Sequence, residues 1–164
     1  MGEIHVAIVG VGNCASSIVQ GLAYYEKHHT ATIGLMHQSI CGYEPKDIKI
    51  VAAFDVDKRK VGRPLEEAIF TSPNCTKVFE DQIRQSGVIV RMGNPLDGIS
   101  SHMADYPENR TFLVSENKPD DVARILKDTG TEIVLNYLPV GSEEATRYYA
   151  ECCIESGASL INCI

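Results

Sequence analysis

Gly10, Gly12 and Ala15 stand at the spacing G-x-G-x-x-G/A, directly after the apolar run "IHVAIV" and directly before the helical pattern "CASSIVQGLAYYE". That context suits a turn that seats the pyrophosphate of a dinucleotide on a helix N-terminus. Gly10 permits the sharp turn. Gly12 removes a Cβ so that a pyrophosphate can approach the backbone, and Ala15 is small enough for the helix to lie close to the strand. The expected donors are the backbone N–H groups of Asn13, Cys14, Ala15 and Ser16, because first-turn N–H groups lack partners within a helix and carry the positive end of its dipole. The hydroxyls of Ser16 and Ser17 are further donors. The same residues also read as a structural strand–helix turn that uses small side chains for packing. A Walker-type phosphate loop is excluded, since no Gly-Lys-Ser/Thr follows.

A dinucleotide site of this kind needs a carboxylate at the tip of the second strand, usually ~20 residues on, to accept hydrogen bonds from the adenosine ribose. Asp55 in "VAAFDVD" takes that place. It lies 43 residues after Gly12 because "KHHTATIGLMHQSICGYEPK" is inserted ahead of the strand. Val56 shares the tip, and Asp57 is the reserve carboxylate. A carboxylate here repels a 2′-phosphate and favours NAD over NADP, whereas Arg59 in "KRK" is the residue type that holds such a phosphate. Asp55 also reads as a helix cap ahead of Lys58. On the other side of the expected crevice, "NYLPVG" (Asn136–Gly141) leaves its strand toward the same edge. Its residues Tyr137, Leu138, Pro139 and Val140 are expected to line the nicotinamide half. "MGNPLDG" (Met92–Gly98) is a weaker rim candidate and reads equally as a solvated turn made by Asn-Pro and Asp-Gly.

The elements that must position these residues alternate strand with helix. Buried strands are expected at Ile4–Val9, Asp47–Asp57 and Gly87–Gly93, then in "TEIVLNYLPVG" and "ASLINCI". The helix after the second strand, "KRKVGRPLEEAIF", is delayed to about Pro64, a residue tolerated in a first turn. "NKPDDVARILKDTG" has Asn117 near its cap, Pro119 and two Asp in its first turn, and Gly130 at its end. "SEEATRYYAECCIESG" opens with Ser142 as cap and Glu143–Glu144 where the helix dipole favours them. This alternation predicts an α/β chain with a Rossmann-like doubly wound parallel sheet and a ligand at the carboxyl ends of the strands. One domain is expected over residues 1–164, with the insertion at about 26–46 and no internal repeat or linker.

The formal charge of −7 argues against a nucleic-acid partner, whose phosphates need a basic face. No apolar run reaches the ~18 residues of a membrane span and the N-terminus lacks a signal-peptide pattern, so no membrane partner and a cytoplasmic location are expected. The six cysteines form no CxxC pair and no zinc-like cluster with histidine, and they read as reduced thiols with no metal site. His28, His29, His37 and His102 show no ligand pattern. Lys46, Lys58, Lys60, Lys77, Lys118 and Lys127 stand in polar contexts that fit solvated surface lysines. No catalytic residue is assigned.

Taken together, "VAIVGVGNCASSIVQG", "GLMH", "VAAFDVDKRKVG", "LDGI" and "YLPVGSEEATRYYAECCIESGASLINCI" resemble the NAD-binding half of the myo-inositol-1-phosphate synthase family in its archaeal and actinobacterial form. The resemblance runs over nearly the whole chain. Pro64 stands where relatives usually carry Asp, and "GNPLDG" replaces a more usual Gly-Pro-Thr-Leu-Asp-Gly; both departures lie near the expected cofactor rim. The resemblance implies NAD as cofactor and an isomerase that converts glucose 6-phosphate to inositol phosphate for inositol and phospholipid biosynthesis. In such enzymes carbon 5 is oxidised, an intramolecular aldol attack closes the ring, and the hydride returns. It further implies catalytic lysines and an oligomerisation domain beyond residue 164, a fragment inactive alone, and a homo-oligomer, usually a tetramer. Two other readings stand beside it: an NAD-dependent dehydrogenase with a different substrate domain, and a free-standing NAD-binding or redox-sensing module.

Overall fold

The central strand of the sheet is the short apolar run that precedes the glycine turn. In a computed structural model that describes residues 2–99, 103 and 105–164, β1 (Ile4–Val9) lies between β2 (Ile48–Asp55) and β4 (Ile133–Asn136). The flanking strands are β3 (Arg91–Met92) and β5 (Ser159–Asn162), giving the order β3-β2-β1-β4-β5 with every pairing parallel. Alternate residues of β1 serve two different cores, as the two-residue period of a strand requires. Ala7 and Val9 pack with Phe54, Val134, Leu126 and Tyr149, whereas Ile8 packs with Ala15, Val19, Leu65 and Ile69.

Helices α1 (Asn13–Lys27) and α2 (Leu65–Ala68) therefore cover one face, and α3 (Val122–Asp128) and α4 (Glu143–Ser156) the other. The connection from β3 to β4 changes faces, so the chain leaves β1 and β4 in opposite directions. A crevice opens between them at their carboxyl ends, the switch point of a doubly wound sheet. Register is fixed by an irregularity between β1 and β2. Val6 pairs with Ile50 but Ala7 with Ala52, so Val51 is an extra residue on β2 that brings Phe54 opposite Val9.

Several boundaries differ from expectation for local reasons. β2 ends at Asp55, because Val56 and Asp57 turn their N–H groups onto the Asp55 carboxylate at 2.7 and 2.8 Å. The strand expected at Gly87–Gly93 joins the sheet only over Arg91–Met92. Ahead of that it pairs with the segment entering α2, where Leu65 N–H meets Val88 O and Gly62 N–H meets Val90 O, both at 2.9 Å. Helix α3 starts at Val122, capped by Asp121, whose side chain accepts from Arg124 N–H. Asn117 and Pro119 lie outside it, and Asp120 exchanges hydrogen bonds with the Met92 backbone. The insertion begins after α1 and carries Ile33, Ile40 and the 94 % exposed Met36 on the surface. It closes through an Ile40–Tyr43 bridge and a 3₁₀ turn at Pro45–Asp47.

Candidate functional site

At the carboxyl end of β1 the chain turns at Gly10, gripped from both neighbours. Gly10 N–H donates to Phe54 O at 2.9 Å and Tyr137 N–H donates to Val9 O at 2.8 Å. Gly10 has φ +88°, and a Cβ there would sit 2.8 Å from the carbonyl oxygen of Tyr137. The glycine thus serves a left-handed turn and a close approach of two backbones at once. Gly12 is different: nothing lies within 4 Å of where its Cβ would be. It is the N-cap of α1 with an ordinary extended backbone and makes no side-chain cap. Among the described residues, the N–H groups of Asn13, Cys14 and Ala15 meet no acceptor, while Ser16 N–H bonds Gly12 O at 2.9 Å.

Asp55 reaches this turn from β2. Its Oδ2 accepts Val11 N–H at 2.7 Å, and its Oδ1 is filled by the N–H groups of Val56 and Asp57. A carboxylate oxygen takes two donors, so Oδ2 retains one acceptor position for a ribose hydroxyl. Asp55 therefore caps the turn that follows it and keeps capacity toward the crevice. Lys60 lines the same cavity, only 3 % exposed, with Nζ 2.7 Å from Val11 O, 2.9 Å from Asn74 Oδ1 and 4.0 Å from Asp55 Oδ2. Burial pushes its ammonium pKa down, opposed by Asp55 and Asp57. Asn74 Nδ2 also donates to Val11 O, and Asn13 Oδ1 accepts Cys75 N–H, so the segment 73–76 is tied to the glycine turn from two sides.

The opposite wall comes from β4, α4 and the loop after β3. Asn136, fully buried, donates to Asn162 Oδ1 and Thr146 Oγ1 and accepts Leu138 N–H, which fixes the exit of β4 against β5 and α4. The cap of α4 is unexpected. Ser142 occupies the N-cap position, but its hydroxyl donates to Pro139 O at 2.6 Å. The carboxylate of Asp97 instead accepts the N–H groups of Glu144 and Ala145 at 2.7 and 2.8 Å. Desolvation raises the Asp97 pKa, but these N–H groups outweigh it and hold the carboxyl below its usual value.

These walls enclose a cavity of about 200 Å³. Of the residues expected from sequence, Gly10, Gly12, Asn13, Asp55, Val56, Tyr137, Leu138 and Pro139 line it. Ala15 packs behind them in the core, and Cys14 is exposed at the helix start. Two expectations need correction. Ser16 is buried, its N–H is used by Gly12 O, and its Oγ accepts from Gln20, so its backbone N–H is not among the open donors of the cradle. Val140 is 93 % exposed and lines a separate surface depression with Arg147 and Ile164.

The charged residues after β2 also resolve. Asp57, the reserve carboxylate, is fully buried and bonded to the Arg59 guanidinium, and Arg59 further donates to Glu108 O and Thr111 O. Desolvation raises the Asp57 pKa, but its bonds with Arg59 and Leu113 N–H bring the net shift below the usual value. Neither side chain is free for a ligand, and Lys60 is a buried residue rather than a solvated one. His28 stacks on Tyr24 and bonds its carbonyl, His37 is exposed in the insertion, and His102 lies outside the described residues. All six cysteines are unpaired. Sequence reasoning missed Asn74, Phe112 and Tyr149, which also line the cavity; only the fold brings them there.

No family model matches the sequence. Curated relatives do: inositol-3-phosphate synthases of Mycolicibacterium smegmatis, Mycobacterium tuberculosis and Corynebacterium glutamicum are 48%, 47% and 42% identical over 98–99% of this chain. The chain spans less than half of their length, 43–44%. Among solved structures, a crystal structure of Ari2 superposes with a TM-score of 0.78 at 26% identity, covering 98% of this chain and 46% of that one. A myo-inositol-1-phosphate synthase-related protein from Thermotoga maritima gives 0.68 at 21% identity over 99% of this chain and 48% of that one, a likeness that establishes the fold. Along nearly its entire length the chain is similar to one portion of proteins named inositol-3-phosphate synthase.

Proposed function

We propose that this chain is the NAD-binding portion of an inositol-3-phosphate synthase. The observation that carries the reading is the open N-terminus of α1 at the switch point of the sheet, in a chain 48% identical to an enzyme of that name. The residues present fit a dinucleotide. The unobstructed space at Gly12 and the N–H groups of Asn13, Cys14 and Ala15 suit the pyrophosphate, and the remaining acceptor position of Asp55 suits the adenosine ribose. Tyr137, Leu138 and Pro139 line the wall for the nicotinamide half. NAD is favoured over NADP because Arg59 is held by Asp57 and two carbonyls, leaving the Asp55 charge facing a 2′-phosphate without a guanidinium to receive it.

Bound NAD supplies a reversible hydride acceptor. The longer protein would then isomerise glucose 6-phosphate to inositol phosphate with no net consumption of cofactor, its catalytic lysines lying outside these residues, as a cytoplasmic homo-oligomer. Among the described residues no helix is long and apolar enough to cross a membrane. Calorimetry of this chain should show NADH binding at least about tenfold tighter than NADPH. Equal affinities would remove the argument from Asp55, and absence of binding would remove the whole reading. Incubating the longer protein with glucose 6-phosphate and NAD should yield inositol phosphate without accumulating NADH, whereas net NADH would identify a dehydrogenase.

A further inference from the structure

We propose that Asp97 is a positioning residue for the cofactor: by capping α4 it holds the loop 93–99 as the wall against which the nicotinamide half is seated. The inference rests on the dinucleotide reading above. A helix normally takes its cap from the residue at its own start, which satisfies first-turn N–H groups at no cost in tertiary organisation. Here Ser142 is present in that position and turns away, and a carboxylate 47 residues earlier in the chain does the capping. The segment that carries it is also anchored at Gly93. Gly93 N–H donates to Asp55 O at 2.9 Å. Any Cβ on Gly93 would collide with the hydroxyl of the buried Tyr149, another α4 residue, which meets the Asn94 backbone N–H.

The loop is therefore pinned at Gly93–Asn94 and at Asp97, both times onto α4. Asn94, Pro95, Gly98 and Ile99 line the cavity opposite the glycine turn, and Ala145, whose N–H the cap receives, lines it as well. Two effects on binding follow. The loop is ordered before any ligand arrives, so ordering it does not oppose binding. The positive end of α4 is already neutralised by an internal anion, so the diphosphate finds one open helix terminus, that of α1, and the dinucleotide has one favoured orientation in the crevice.

The test separates the two halves of the ligand. NADH is titrated into the whole chain while nicotinamide emission is followed, and ADP is titrated by calorimetry. Asp97→Ala should weaken NADH about tenfold and diminish its emission change, as expected if the pinned loop falls to about a tenth of the population. It should leave ADP within about twofold of the parent, because ADP needs only the α1 terminus and Asp55. Unchanged NADH affinity, or equal losses for NADH and ADP, would overturn the proposal. If Asp97→Ala does not fold, Asp97→Asn keeps the volume and one acceptor oxygen and carries the same test: NADH weakened with ADP retained supports the role, and parallel behaviour of the two ligands removes it. A parent chain that binds neither ligand overturns the dinucleotide reading itself and this inference with it. A parent that binds both, beside an Asp97 variant indistinguishable from it, overturns this inference alone.

Discussion

The N-termini of α1 and α4 face one cavity from opposite sides of the switch point, yet they are finished in opposite ways. Helix α1 begins on Gly12, with no side chain over it and three N–H groups without acceptors among the described residues. Helix α4 begins on a serine that turns away and is closed by a carboxylate from another element. Two helix ends with the same dipole thus become different chemical objects. One keeps its first-turn N–H groups open, and the other is a structural joint bound to the loop that faces it. A helix terminus acquires a role from what has been left off it or brought to it, and not from its dipole alone.

Mutations can break or sharpen this contrast. The largest effect is expected from Gly10→Val, which would drive a Cβ into Tyr137 O and force a β-branched residue to positive φ. Overpacking and backbone strain together should cost roughly 2–5 kcal/mol in chemical denaturation, spoiling both sides of the cavity at once. Gly12→Val comes next and is selective. Its Cβ enters open space, so the loss of stability should stay near the ~1 kcal/mol of a poorer N-cap, while NADH affinity falls by about a hundredfold or more, equivalent to about 2.7 kcal/mol. A variant that still binds would show that α1 is not the receptor.

Lys60→Met follows, with a loss of roughly 1–3 kcal/mol in stability, because Asn74 Oδ1 loses its donor and Asp55 its neighbouring cation. Ser142→Ala should cost only about 1 kcal/mol, the worth of its bond to Pro139 O, and should leave helicity by circular dichroism unchanged, since Asp97 retains the cap. The smallest effect is the response to acid. Asp57 and Asp97 both have native pKa values below the usual one, so their stabilisation is complete above the unfolded value of about 3.9 and is lost as pH falls through the native values. The thermal midpoint should therefore be insensitive to these groups at neutral pH and should decline below about pH 4.

The open helix end was legible in the sequence and the closed one was not, for a physical reason. Gly10, Gly12, Ala15 and the apolar runs beside them act through neighbours a few residues away, so spacing alone carries their meaning. The position of Asp55 at the strand tip was legible despite the insertion, because the pattern of "VAAFDVD" marks it locally. Asp97, Lys60 and Tyr149 are different. A carboxylate in Asp-Gly looks like a turn residue, and a lysine after an arginine looks solvated, until the fold brings α4 and the glycine turn to them. Ser16 and Val140 failed in the reverse direction. The first was displaced by a hydrogen bond that closes the first turn of α1, and the second by a loop that leaves the crevice one residue earlier than expected. The third strand fell short because the turn leading into α2 takes its backbone groups: Gly62 and Leu65 N–H donate to Val90 O and Val88 O, and Val90 N–H donates to Arg63 O.

The extra residue in β2 sets how this molecule can change length. Val51 acts as a spacer that sets Asp55 level with the glycine turn, so removing or adding one residue between Ile48 and Asp55 would move the carboxylate by about 3.3 Å and swing it to the other face of the sheet. Ahead of Ile48 the exposed insertion imposes no such phase. The sheet therefore sets no length for that outer segment, whereas a one-residue slip a few positions later uncouples the Asp55 carboxylate from the Val11 N–H it accepts.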